Sequence, residues 1–339
     1  MKKLQEALLV GKKRTINRLV MPPMASSRAQ DSGLVSEAIL DYYRPYAVSG
    51  KLGLIITEHS YVSPEGKASL NQMSIASDDC IPGLKTLTEL LKSEGSLAIC
   101  QINHAGSQTN EETTGLPVVG PTAMDHPNRE PFRLSPVHEL DGESIDRLVE
   151  AYCRAAQRAR EAGFDGVEVH SAHGYLLNQF YSPLTNRRGD LYGPSSIENR
   201  VRFHQQILEA IRSEIGDDFL VGLRLGGCDY ADGGSSLEDS AEAVKQLENL
   251  LDYVSLTGGI FGYRKANLQG PGYYRDMSQA VKSVTDLPVI LTGGVVEAVQ
   301  ADELLDQGLC DLVGVGRAIL RNPAWLDDIP SPGSRPDAD

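Results

Sequence analysis

The chain has 339 residues, 41% hydrophobic and 23% charged, with a formal net charge of −14. Those proportions are ordinary for a globular protein with a well-buried core, and the acidic balance argues against nucleic acid or an anionic membrane as partner. An anionic cofactor is not excluded, because local helix ends and single arginines can hold phosphate within an acidic protein.

The opening segment MKKLQEALLVGKKR carries an apolar run too short for a signal-peptide core. No later run approaches membrane-spanning length, so a cytoplasmic location is expected. Short β-branched runs then alternate with longer amphipathic stretches. Strands are predicted at residues 18–21, 52–58, 97–102, 166–170, 220–225, 253–256, 288–292 and 312–315. Helical periodicity is clearest over 144–162, where Ile145, Leu148, Val149, Tyr152, Ala156 and Ala159 recur on one face and Gly163 follows as a stop. A second helix is predicted to open on Ser195-x-x-Glu198 as a capping box. Eight strand–helix units fit a closed (β/α)8 barrel, in one domain over 1–328 with a disordered tail over 329–339. Long connections at 103–141, 171–194 and 257–274 all follow strand C-termini and would crowd one rim.

Cysteines 80, 100, 153, 228 and 310 are scattered with no CxxC pair. This spacing argues against a disulfide framework, an iron–sulfur cluster or structural zinc, and suits a reducing compartment.

Chemistry concentrates at the strand ends. The fourth strand empties into HSAHGY, so His170, His173 and Tyr175 sit where α/β barrels place their active sites. Two imidazoles can donate to one substrate oxygen while the phenol delivers a proton. The competing reading is a metal centre, since imidazoles are common ligands and His104 could join them. A hydrolytic metal barrel also wants carboxylates at several strand ends, where only Glu58 is acidic. His126, His138 and His204 read as ordinary surface or helix residues.

The seventh strand ends in Gly293-Gly294 and the eighth in Gly316-Arg317. Glycines there let backbone amides approach an anion, and the arginine adds a charge, as in phosphate-binding barrels. Gln101 and Arg224 end otherwise apolar strands. A buried arginine needs an anion or carbonyl opposite it, and glutamine offers a donor and an acceptor to a pyrimidine edge. Together they describe a flat, phosphorylated heteroaromatic lying across the barrel top.

The motifs NRLVMPPM, QINHAG, HSAHGYLLNQFYSP, NRRGDLYG, ENRVRF, GLRL, TGGV and GVGRAILRNPAW stand in order from Leu4 to Trp325. In these the chain resembles the old yellow enzyme family of FMN-dependent NADH:flavin oxidoreductases and ene-reductases. The resemblance implies noncovalent FMN, hydride from NAD(P)H, and a ping-pong reduction of the activated C=C bond of an enone, nitroalkene or quinone-like small molecule. Carried over by residue, His170 and His173 would hold the substrate oxygen and Tyr175 would donate the proton. Gln101 and Arg224 would meet the flavin pyrimidine, and Gly293, Gly294, Gly316 and Arg317 the phosphate. Pro23, Met24 and His59 would touch the ring through backbone.

The family pattern is departed from at Ala25, where threonine or cysteine is common beside flavin O4, and at Ser107, where arginine is usual. Pro194 replaces a usual glycine, and His59 a small residue. The iron–sulfur segment and second dinucleotide domain of larger relatives are not present in the sequence. Members range from monomers to larger assemblies, so a homo-oligomer is admitted. Two alternatives stay open at this point: a metal-dependent barrel hydrolase, and a flavin-binding protein without ene-reductase turnover.

Overall fold

Eight parallel strands close on themselves in the computed structural model, which describes residues 2–124, 135–262 and 268–330. They are β1 (Leu19–Met21), β2 (Leu54–Ile56), β3 (Leu97–Asn103), β4 (Gly166–Ser171), β5 (Leu220–Leu225), β6 (Tyr253–Leu256), β7 (Val289–Thr292) and β8 (Leu312–Gly314). Each pairs with the next, and β8 pairs back onto β1 through Val313↔Leu19 and Gly314↔Val20. This is the expected (β/α)8 barrel. Its strands fall within a few residues of the predicted runs. The second is the most trimmed, shortened at both ends to Leu54–Ile56.

Helices cover the outside: α1 (Glu37–Ala47), α2 (Ile81–Lys92), α3 (Gly142–Glu161), α4 (Ile197–Ile215), α5 (Leu237–Leu247), α6 (Arg275–Lys282), α7 (Ala298–Asp306) and α8 (Arg317–Arg321). α3 starts two residues before its predicted bound because Asp141 caps it, accepting from the Ser144 N–H at 2.8 Å. The predicted capping box before α4 does not form. Ser196 rather than Ser195 is the cap, accepting from Asn199 N, which leaves Glu198 one position early and paired with Arg202 instead.

Side-chain alternation sorts the strands into two cores. Leu19, Met21, Cys100, Val167, Val169, Leu223, Val254, Leu291 and Val313 face outward and pack with the helices. Val20, Leu54, Ile56, Ile99, Leu220, Tyr253, Ile290 and Leu312 face inward and fill the lower barrel. Val10, from the antiparallel hairpin Leu9–Val10/Lys13–Arg14, joins this inner cluster and stoppers the end opposite the rim.

His204 is a helix residue, as expected, but not a surface one. It lies on α4 but is fully buried, its Nε2 2.7 Å from Ser171 Oγ, because this helix face packs on β4. Ile329, assigned to the tail, is buried in the outer core, so ordered packing runs past the expected boundary. Residues 331–339 and His126 lie outside the described residues. All five cysteines are free and buried. Among the described residues no helix is long and apolar enough to cross a membrane.

Candidate active site

The C-terminal strand ends open onto a cavity of about 480 Å³, within the usual range for small-molecule sites. Every site residue named from the sequence lines it: Pro23, Met24, Ala25, His59, Gln101, His170, His173, Tyr175, Arg224, Gly293, Gly294, Gly316 and Arg317. Pro22, Thr257, Tyr273, Thr292 and Gly314 also line it and were not singled out.

The β4 end carries the densest chemistry. His170 ends the strand's inward row, and the chain then turns sharply: His173 has φ +59° and Gly174 φ +78°. A non-glycine residue in the left-handed region is held there by its surroundings, and such strain gathers at functional sites. Here the His173 N–H bonds Gly258 O at 3.3 Å, and its Nε2 lies 2.9 Å from Thr257 Oγ1. Gly174 is gripped from both sides by Asn178 and Gln179 of the short helix Leu176–Tyr181. The turn brings the His170 and His173 rings to 5.1 Å between centres and His170 and Tyr175 to 5.4 Å. Burial, reinforced by nearby cationic groups including Arg224, holds both histidines well below the ordinary imidazole range, so both are neutral donors at pH 7. His170 Nδ1 is buried without a protein partner. Burial pushes the Tyr175 phenol up to about 12, keeping its proton.

Below this rim lies a residue the sequence reading passed over. Glu168 is fully buried inside the barrel, two residues before His170 and on the same face. Its register partner Gln101 donates Nε2–H to Glu168 Oε1 at 2.7 Å. That bond orients the amide: one N–H goes to Glu168, which leaves the second N–H and the carbonyl oxygen for partners in the cavity. Arg224 lies close enough to oppose the carboxylate's charge, yet burial dominates and raises the Glu168 pKa to about 7. Period-two counting back from His170 would have found this residue.

The sign of the linkage follows. With a folded pKa near 7 and an ordinary value of 4.5, the native state binds the extra proton, so Glu168 lowers stability as pH rises through that window. A Glu168→Gln variant has no such titration. Its stability relative to the parent is therefore expected to rise between about pH 4.5 and 7, and thermal unfolding midpoints across that range check it. Parallel curves would contradict the assignment.

On the opposite side, the β7 and β8 ends form a cradle. A Cβ on Gly294, whose φ is +74°, would sit 1.8 Å from Gly270 O; one on Gly316 would sit 2.8 Å from Met24 Sδ. Gly294 admits no side chain and one at Gly316 would require Met24 to shift, so at both positions the backbone itself forms the cavity wall. Tyr273, from the connection after β6, lies over Gly293, and the exposed Arg317 reaches its hydroxyl at 3.5 Å. The α8 helix has only five residues, so the positive character here rests on Arg317 and the amides more than on a helix dipole.

The loop after β1 is held by Glu58, which accepts from Ser26 N at 2.8 Å and from Ser26 Oγ at 2.6 Å. Pro23, Met24 and Ala25 are thereby fixed along the cavity wall, and Arg224 Nη1 donates to Pro23 O at 3.4 Å. Arg224 Nε and Thr292 Oγ1 are buried with no protein partner. A cationic group with a spare donor, an acceptor oxygen on Gln101, and a side-chain-free cradle across the cavity fit a flavin mononucleotide: pyrimidine at the first two, phosphate at the third.

His104 stays apart from this cluster. It is fully buried, its Nδ1 accepts from Gly106 N at 2.9 Å, and its Nε2 lies 3.9 Å from Glu65. Among the described residues no three His, Cys, Asp or Glu side chains gather in metal-holding geometry.

Fold and rim together define a phosphate-anchored redox barrel. The sequence model of the NADH:flavin oxidoreductase / NADH oxidase family matches residues 3–332, and the chain belongs to that family of FMN flavoprotein oxidoreductases, old yellow enzyme relatives included. It is 35% identical to an NADPH dehydrogenase of Clostridium acetobutylicum over 326 residues, covering 96% of this chain and 93% of the relative. It is 36% identical to an NADH oxidase of Thermoanaerobacter brockii, covering 91% of this chain but 48% of that protein, so it spans about half of this longer relative. The solved old yellow enzyme homologue from Zymomonas mobilis superposes with a TM-score of 0.82 at 26% identity, over 96% of this chain and 93% of the other.

Proposed function

We propose that this protein reduces the activated C=C bond of small α,β-unsaturated carbonyl compounds and related electrophiles, with NAD(P)H as reductant and a ping-pong order. The carrying observation is the convergence of His170, His173 and Tyr175 on the wall of the cavity that also holds Gln101, Arg224 and the glycine cradle. Bound FMN would supply the two-electron chemistry linking NAD(P)H oxidation to reduction at the alkene β-carbon.

The chain's own residues do the rest. His170 and His173, neutral and side by side, donate to the substrate carbonyl or nitro oxygen. Their bonds strengthen as enolate-like charge gathers there, which lowers the barrier. Tyr175, kept protonated by burial, gives its proton to the α-carbon. Gln101 Oε1 would accept from the pyrimidine N–H, and Arg224 would oppose negative charge on the reduced ring. Pro23, Met24 and the His59 backbone would line the ring, and Gly293, Gly294, Gly316 and Arg317 would hold the phosphate. NAD(P)H and alkene share the cavity, which supports alternation rather than joint binding.

The deciding experiment is anaerobic: NADPH or NADH should bleach the flavin, and 2-cyclohexenone should restore it with cyclohexanone as product. Bleaching without reoxidation by any enone, nitroalkene or quinone would leave only a flavin-reducing protein. Tyr175→Phe is expected to slow reoxidation by 2-cyclohexenone about 100-fold while leaving reduction by NAD(P)H within a few-fold, in stopped-flow traces of each half-reaction.

A further inference from the structure

His59 is a cavity imidazole whose proton can be located from its neighbours. Its Nδ1 lies 2.7 Å from Gln72 Nε2 and 3.2 Å from Asn103 Nδ2. The Gln72 amide is oriented twice over: Oε1 accepts from Ala68 N at 2.7 Å, and Nε2 donates to the His59 carbonyl at 3.0 Å. Gln72 therefore offers Nδ1 only a donor. Nδ1 must accept, and the ring proton must sit on Nε2. Gln72 and Asn103 are themselves buried, so the tautomer is set from the wall side. Nε2, on the other edge of the ring, has no acceptor among the described residues. The ring lines the cavity with its centre 5.1 Å from that of Tyr175 and 6.0 Å from that of His170. Burial lowers the His59 pKa to about 4, so this is a neutral donor throughout the neutral range.

We propose that His59 is a third substrate hydrogen-bond donor, and that it favours activated alkenes bearing a second acceptor oxygen, of the imide or quinone type, over those with one carbonyl. The inference rests on the ene-reductase reading of the cavity. His170 and His173 form one pair of donors, while His59 stands to the side of Tyr175, placed for a different oxygen. A substrate with a single carbonyl strips water from the His59 Nε2–H and gives nothing back. An unpaired buried donor of this kind costs on the order of tenfold or more in affinity.

The test uses the FMN-loaded protein and two unreactive five-membered rings, succinimide with two carbonyls and 2-pyrrolidinone with one, titrated by the flavin absorbance change. The quantity read is the ratio of their affinities, which cancels any common effect of a substitution on the flavin. In His59→Ala the preference for succinimide is expected to fall about tenfold, and in His59→Gln, which keeps a donor, to recover in large part. The ratio of kcat/KM for N-ethylmaleimide over 2-cyclopentenone should move in parallel. An unchanged affinity ratio in His59→Ala overturns the proposal. Should the wild type reduce neither alkene, the ene-reductase reading fails, while the two binding titrations still decide the role of His59. Nitrogen-15 shifts of the His59 ring give a readout needing no variant: a proton on Nε2 is expected, and one on Nδ1 overturns the assignment.

Discussion

Arg224→Met is expected to weaken FMN binding at least about 100-fold and to destabilise the flavin-free protein progressively as pH rises above about 7. Arg224 is only 4% exposed, and its charge faces the equally buried Glu168. Methionine nearly preserves volume but removes the counter-charge, so the carboxylate must take up a proton or remain uncompensated. These two losses have different origins and should separate. In the double variant Arg224→Met/Glu168→Gln the orphaned charge is gone, so stability should largely return while FMN affinity stays low. Denaturant unfolding of the flavin-free forms and fluorescence titration with FMN measure the two quantities, and a double-mutant cycle isolates the coupling. Equal stability of Arg224→Met and the double variant would show that the pair does not interact.

Removing both donors in His170→Ala/His173→Ala is expected to lower kcat/KM for 2-cyclohexenone by about 10³-fold or more, with FMN still bound. Each ring is asked to supply an interaction that is stronger at the transition state than in the ground state, and such losses fall on kcat as well as KM. The double variant should also lose the long-wavelength absorbance that phenols produce when they bind over oxidised flavin. Because burial holds both imidazoles neutral and the Tyr175 phenol protonated, none of the three changes charge near neutrality. Enone reduction should therefore show no inflection from these groups between about pH 6 and 9. A retained phenol signal in the double variant would move the oxyanion site elsewhere.

The barrel was legible because its strands are covered on both faces, so each reads as a short uninterrupted apolar run bounded by polar segments. The rim was legible because the residues that serve it fall at strand ends: His170, Gln101, Arg224 and the paired glycines all interrupt such runs. What the runs conceal is the parity within them. VEVH reads as one buried strand, yet Val167 and Val169 belong to the outer core while Glu168 and His170 point inward. Tyr273 was hidden for another reason. It comes from a long connection without regular periodicity, and its place over Gly293 depends on how that segment folds back across the barrel. The His59 tautomer depends on Gln72 and Ala68, which no local pattern ties to the strand end. Helix starts erred by one or two residues where neighbouring serines or an aspartate competed for the same cap.

The stopper at the base of the barrel bears on how charge is balanced during turnover. With Val10 and the aliphatic layer above it closing that end, Glu168 lies between an apolar base and the mouth where FMN would bind. The charge on that carboxyl would be felt by a bound flavin, whose potential is expected to fall as pH rises through the range near 7 where Glu168 ionises, and to lose that component in Glu168→Gln.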